Sequence, residues 1–108
     1  MKNLFDLKHI AEREVVKGYN GKFIHSDHMT MAYWRIEAGH DLPEHHHEHE
    51  QVVNVLSGQF ELTLDGQPIL LERGKVLVIP SNVPHAGRSI TDCEILDVFQ
   101  PVREDYVG

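Results

Sequence analysis

Nine histidines occur in this chain, and the informative ones lie in one run, Gly39-His40-Asp41-Leu42-Pro43-Glu44-His45-His46-His47-Glu48-His49-Glu50-Gln51. On an extended strand, alternate side chains project to opposite faces, so His45 and His47 point one way and His46 the other. Neutral imidazole is a common ligand for divalent first-row metals, and two on one face begin a site. Further donors must come from elsewhere in the fold. His49 shares parity with His45 and His47, so a flat strand would aim it inward as well. A bend near His47 would turn it aside and leave it bordering the site. His9, His25, His28 and His40 read as surface or loop residues.

A second chemical region is the segment from Cys93 to Tyr106. Cys93, Ile95, Asp97 and Phe99 share one strand face, with Leu96 and Val98 on the other. Both faces carry apolar residues, so the strand is expected to be covered on both sides, and an acid there needs a partner, a network or a function. If the odd-numbered face lines a cavity, Asp97 and Phe99 lie in it and Arg103 folds over its mouth. The alternative is a structural Asp97–Arg103 pair with Phe99 in the core. Cys93 reads as a buried small hydrophobe.

The elements that must position these groups are short strands. Turn signals recur at Tyr19-Asn20-Gly21, Ala38-Gly39, Ser57-Gly58, Asp65-Gly66, Arg73-Gly74 and Pro80-Ser81-Asn82. Even spacing of this kind indicates an all-β sandwich or barrel. Phe60 to Leu64, Asp65-Gly66 and Gln67 to Leu71 form the clearest hairpin, because Asp-Gly accepts the positive φ angles of a type I′ turn. Further strands are expected at 22–25, 30–37, 51–56, 75–79, 85–89 and 93–100. Residues 4–13 fit either a short helix or an added edge strand.

Bulk properties narrow the function classes. The length, 108 residues, fits one domain, 1–108, whose small core makes a homodimer a reasonable expectation. A formal net charge of −7 argues against a nucleic-acid partner, which would need a clustered basic face. The single cysteine excludes an internal disulfide, the N-terminus lacks a secretory apolar region, and no apolar run approaches membrane-spanning length. A soluble, cytoplasmic protein without a membrane partner is expected.

The spacing Gly39, five residues, His45-x-His47, three residues, Gln51, six residues, Gly58 resembles the first cupin motif, with Gln51 where glutamate is usual. Gly74, five residues, Pro80 and then His85 resemble the second motif, with Asn82 at a usual glycine position and Ser89 at a usual asparagine position. The resemblance covers roughly residues 30–100. It implies a double-stranded β-helix, a jelly-roll barrel, holding one divalent transition metal through His45, His47, Gln51 and His85. Nitrogen and oxygen donors suit Ni, Fe, Mn, Co or Zn. A glutamine carbonyl adds no negative charge, which leaves the ion more electrophilic and better suited to an anionic ligand.

Within cupins, His45-x-His47-x-His49-Glu50-Gln51, Leu56-Ser57-Gly58, Asp97-x-Phe99 and Arg103 in a Pro-Val-Arg-Glu-Asp-Tyr tail resemble the KdgF group. That group linearises the unsaturated uronates left by pectin and alginate lyases to 5-keto-4-deoxyuronate. The resemblance implies a small anionic sugar-acid substrate and catalytic or pocket roles for Asp97, Phe99 and Arg103. Two other classes remain open: a metal cupin isomerase or dioxygenase acting on another small organic acid, and a small-molecule-binding cupin without turnover. Stoichiometric metal content separates the last from the first two.

Overall fold

The computed structural model describes residues 2–108. Its strands are β1 (Arg13–Val16), β2 (Tyr19–His25), β3 (Thr30–Ile36), β4 (Asp41–His45), β5 (Glu50–Ser57), β6 (Gln59–Leu64), β7 (Gln67–Glu72), β8 (Val76–Ile79), β9 (His85–Ser89) and β10 (Cys93–Gln100). Two 3₁₀ turns, Leu7–His9 and Glu104–Tyr106, flank them. Among the described residues, no helix is long and apolar enough to cross a membrane.

The strands form two antiparallel sheets, one ordered β1-β2-β3-β10-β5-β8 and the other β4-β9-β6-β7. Alternation decides the layering. β3, β5 and β10 bury every second residue, so Ala32, Trp34, Ile36, Val53, Val55 and Ile95 face the smaller sheet. Phe60, Leu62 and Leu71 answer from that sheet. Each large apolar side chain removed from water contributes roughly 1.5–3 kcal/mol.

The Asp65-Gly66 turn matches its expectation. Both residues have positive φ, 48° and 81°, and β6 pairs with β7 from Leu64↔Gln67 to Gln59↔Glu72. Asn82 adopts φ 63°, a left-handed conformation that Asn tolerates better than most residues, which is how it can occupy a glycine position. Tyr19-Asn20-Gly21 is not a turn; it begins β2, and the chain reverses before it, where Gly18 has φ 82°. Gly21 serves packing instead, since a Cβ there would come within 2.7 Å of the Phe23 ring and 2.9 Å of the Trp34 ring. Residues 4–13 supply a 3₁₀ turn and only the first residue of edge strand β1.

Candidate metal centre and its cavity

Register carries the two distant histidine segments together. His45 ends β4 and lies directly opposite His85, the first residue of β9. Their ring centroids are 4.2 Å apart, and His47 lies 5.0 Å from His85 and 5.7 Å from His45. Gln51 projects from β5 in the facing sheet, where Phe99 of β10 is its partner. The expectation that His45 and His47 share a strand face is corrected here. β4 stops at His45, and His47 lies in the connection to β5.

Hydrogen bonding aims the rings. Nδ1 of His45, His47 and His85 meets the backbone carbonyls of Pro43 at 2.8 Å, His49 at 2.9 Å and Val83 at 2.9 Å. A carbonyl only accepts, so each Nδ1 carries the proton and each Nε2 presents a lone pair. One ligand atom from each of the three can be chosen so that all lie within 4.8 Å of one another.

Two features fit a cation among these atoms. Nε2 of His85 is buried with no hydrogen-bond partner. Nε2 of His47 faces Oε1 of Gln51 at 3.2 Å, a pairing of two lone pairs once Nδ1 holds the ring proton. The Gln51 side chain also lies beside the Asp97 carboxyl and lowers its pKa, and an amide nitrogen turned toward that acid leaves Oε1 toward the histidines. Burial holds His47 down to about 4 and pushes His85 below its ordinary value against the pull of its bond to Val83. Both rings are therefore neutral at neutral pH, as metal ligation requires.

Above the histidines a cavity of about 400 Å³ opens between the sheets, lined by His45, Gln51, His85, Asp97, Phe99 and Arg103 among others. Six of the seven residues singled out in the sequence thus border one space, with His47 against its Gln51 and Phe99 walls. Asp97 is 8% exposed. Burial raises its pKa from 3.8 to about 7, opposed by hydrogen bonds from Gln51 and Trp34 and by the charge of Arg103. Its Oδ1 is buried without a partner.

Arg103 is not paired with Asp97. Its Nε and Nη2 donate to Asp105 at 3.0 and 2.7 Å, and its guanidinium is layered between the rings of Phe99 and Tyr106, 4.7 and 4.3 Å from their centroids. The Asp105 carboxyl is held below its ordinary value by that guanidinium. Five N–H groups make up a guanidinium, so the Nη1–Nη2 edge remains free to grip an anion.

The tail that carries Arg103 is tied down by residues outside the cavity. Its amide donates to the fully buried Thr30 hydroxyl at 2.9 Å. That hydroxyl meets His25 Nδ1 at 2.8 Å, and the other ring nitrogen of His25 reaches the Tyr106 carbonyl at 3.3 Å. His49, turned aside by the bend at Glu48-His49, donates from Nε2 to the Val102 carbonyl at 3.1 Å. His49 thus stands outside the histidine triad, and His25 is half-buried in β2 rather than idle on the surface.

Sequence reasoning missed Trp34, Asp105 and Tyr106. Trp34 shares the inward parity of β3 with Ala32, whose register partner is Asp97, and that alternation was a usable signal. The Arg103–Asp105 spacing of two residues was another.

Residues 32–99 match the family model described as "Cupin domain". The chain is 30% identical over 84 residues to the pectin degradation protein KdgF of Dickeya dadantii, 76% of either chain being covered. Among solved structures, KdgF from Halomonas sp. superposes with a TM-score of 0.90 at 26% identity, covering 96% of this chain and 97% of that one. An RmlC-like cupin from Shewanella frigidimarina superposes with a TM-score of 0.88 at 25% identity, covering 93% and 91%.

Proposed function

This chain belongs to the cupin family, and from that premise we propose that it is a metal-dependent enzyme opening the ring of 4,5-unsaturated uronates to 5-keto-4-deoxyuronate. The observation that carries the reading is the convergence of Asp97 and Arg103 on the cavity bordered by the His45, His47, Gln51 and His85 donor set. Likeness to two KdgF proteins supports the same choice.

A 4,5-unsaturated uronate is a cyclic enol ether bearing a carboxylate. Opening it takes a proton at carbon 4 and water at carbon 5, after which the hemiketal releases its ring oxygen and leaves the ketone. His45, His47, Gln51 and His85 would hold the metal. When bound, a divalent ion would supply a Lewis-acidic charge for the substrate carboxylate and a neighbouring oxygen. The free edge of Arg103 adds a charge-assisted grip on the acid. In the metal-free site burial raises the Asp97 carboxyl to about 7, so near neutral pH this acid can deliver a proton to carbon 4 and take one back from the attacking water or the hemiketal hydroxyl. Phe99 stacks on Arg103 and keeps bulk water from that side.

Incubation of metal-loaded protein with lyase-generated unsaturated uronate should remove the alkene absorbance faster than buffer, and Asp97→Asn should stop it. Decay equal to buffer with metal in place would remove this function. A second reading rests on the inner wall of the cavity, where Val53, Phe60, Leu62 and Ile95 are apolar. That wall suits a small organic acid with an apolar body, handled by an isomerase or dioxygenase. Oxygen uptake with such an acid, and none with the uronate, would favour it.

A further inference from the structure

The cavity extends well beyond its metal end. Inward-facing residues recede from that end in steps of two, about 7 Å each along a strand. On the larger sheet the layers run Gln51 with Phe99, Val53 with Asp97, Trp34 with Ile95, and then Ile36. On the smaller sheet they run His85, then Gly87 beside Leu62, then Ser89 beside Phe60. The metal donors and Asp97 thus occupy the first two layers. Past them the cavity is walled by Tyr19, Trp34, Ile36, Phe60, Leu62 and Ile95, all buried. The Tyr19 hydroxyl is engaged by the His40 carbonyl at 2.9 Å, and the Tyr19 and Phe60 rings meet edge to face across the two sheets, 6.4 Å between centroids. Among the described lining residues, none at this inner end carries a charge.

The mouth differs in character. Val15 and Val16 of edge strand β1 line the cavity together with Leu42, Pro43 and Glu44 of edge strand β4 and with Asp105, so it opens between the two sheet edges. Glu44 and Asp105 are exposed, and hydroxyl groups turned this way find carboxylates and water. A sugar acid held by its carboxylate near His85 and Arg103 therefore has two directions for its remaining substituents. The hydroxyls on carbons 2 and 3 belong at the mouth, because a polar group lodged against the inner wall would lose its hydrogen bonds to water. The substituent on carbon 1 is left for the inner end, which only an apolar group fills favourably. An apolar cavity of roughly 150 Å³ holds a benzene-sized molecule, so about 400 Å³ has room for the sugar ring and such a group together.

We propose that the site also accepts glycosides of the unsaturated uronate whose carbon 1 carries an apolar aglycone, and that it releases the aglycone as an alcohol. This rests on the ring-opening reading and extends it to a second activity. Water is the only co-reactant. A proton joins carbon 4 and the water oxygen joins carbon 5 as the double bond is consumed, while the surplus proton of that water passes to Asp97. The bond from carbon 5 to the ring oxygen then breaks, which forms the ketone and leaves the ring oxygen on carbon 1 as a hydroxyl. Carbon 1 now bears that hydroxyl and the aglycone oxygen, a hemiacetal. Its collapse to the aldehyde breaks the bond to the aglycone oxygen, which departs with the hydroxyl proton. One glycoside and one water give one 5-keto-4-deoxyuronate and one alcohol, with no oxidant or reductant. The aglycone leaves because the double bond is hydrated, not because carbon 1 is attacked, so a saturated glycoside is inert.

Three substrates test this on the metal-loaded protein: the free unsaturated uronate, its methyl glycoside and its benzyl glycoside. Alkene loss is followed by absorbance and alcohol release by chromatography. Benzyl alcohol should appear one for one with alkene loss, and kcat/KM for the benzyl glycoside should exceed that for the methyl glycoside by about tenfold or more, the gain expected from an apolar group in a fitted pocket. The saturated benzyl glycoside should release no alcohol, yet compete about tenfold more tightly than the saturated methyl glycoside. Leu62→Phe and Ile95→Phe fill the inner end, and each should cut the benzyl-over-methyl ratio by about tenfold. A ratio taken within one variant is insensitive to lost fold or lost metal, which lower both rates alike. Consumption of free uronate without consumption of the benzyl glycoside, equal kcat/KM for the two glycosides, or a ratio that survives both substitutions would overturn the proposal. A protein that leaves the free uronate untouched would remove the ring-opening reading itself, and this activity with it.

Discussion

Replacing Asp97 with asparagine should change how stability depends on pH, and the size of the change can be worked from the site. In the metal-free protein, burial raises this carboxyl from 3.8 to about 7. The folded state therefore holds the proton more tightly than the unfolded chain. The resulting stability is fully present below the unfolded value and is lost as pH rises toward 7. At about 1.4 kcal/mol per pH unit, the loss is about 2 kcal/mol at pH 5 and about 4 kcal/mol at pH 8. The amide introduced by Asp97→Asn cannot ionise and suffers neither loss. Urea unfolding of both proteins with chelator present, at pH 5 and pH 8, should show the variant gaining about 2 to 3 kcal/mol on the unaltered chain between those conditions. His47 and His85 titrate in both proteins and cancel in the comparison. A divalent ion beside Asp97 favours its charged form, so metal loading should shrink the gap. A stability difference that stays flat across this range would refute the view of Asp97 as a desolvated, proton-holding acid.

Two further substitutions separate substrate binding from metal binding. Arg103→Ala should leave metal content unchanged and weaken uronate affinity by about tenfold to a hundredfold, the worth of charge-assisted hydrogen bonds of about 1.5–3 kcal/mol; calorimetric titration measures both, and equal loss of metal would contradict the division. Thr30→Val keeps the shape of a buried side chain but removes the acceptor for the Arg103 amide and the link to His25. It should lower stability by about 1–3 kcal/mol and uronate affinity severalfold while sparing the metal, and unaltered uronate affinity would show that the tie does not position Arg103.

The strands that bury alternate residues were legible. β9 and β10 run over the ranges expected, and β3, β5, β6, β7 and β8 differ by a residue at one or both ends. Their apolar and polar residues sort by parity, so period and face coincide. β1 and β4 were not legible, for a common reason. Both are edge strands, and neither shows the inside–outside contrast that a covered strand must have. Val15 and Val16 are adjacent and 40% and 37% exposed. β4 contains Pro43, which an edge tolerates because one side of the strand needs no donor. Its pairing with β9 is irregular between Leu42 and His45 and stops at His45, which defeats simple parity at His47. The metal donors were recoverable from motif spacing across two segments. The partner of Arg103 was not, because Asp97 and Asp105 compete for it, and the outcome depends on a tail whose path is set by Thr30, His25 and His49.

Metal stoichiometry is the most direct measurement of the central claim, that four side chains from two sheets and the connection between them close on one divalent ion. Equilibrium dialysis against a divalent transition metal, followed by elemental analysis, should find one ion per chain in the unaltered protein. His85→Ala should carry none while keeping its β-sheet circular dichroism, although every histidine of the run from His40 to His49 is still present. An unaltered protein without stoichiometric metal, or a His85→Ala variant that retains a full ion, would contradict the account.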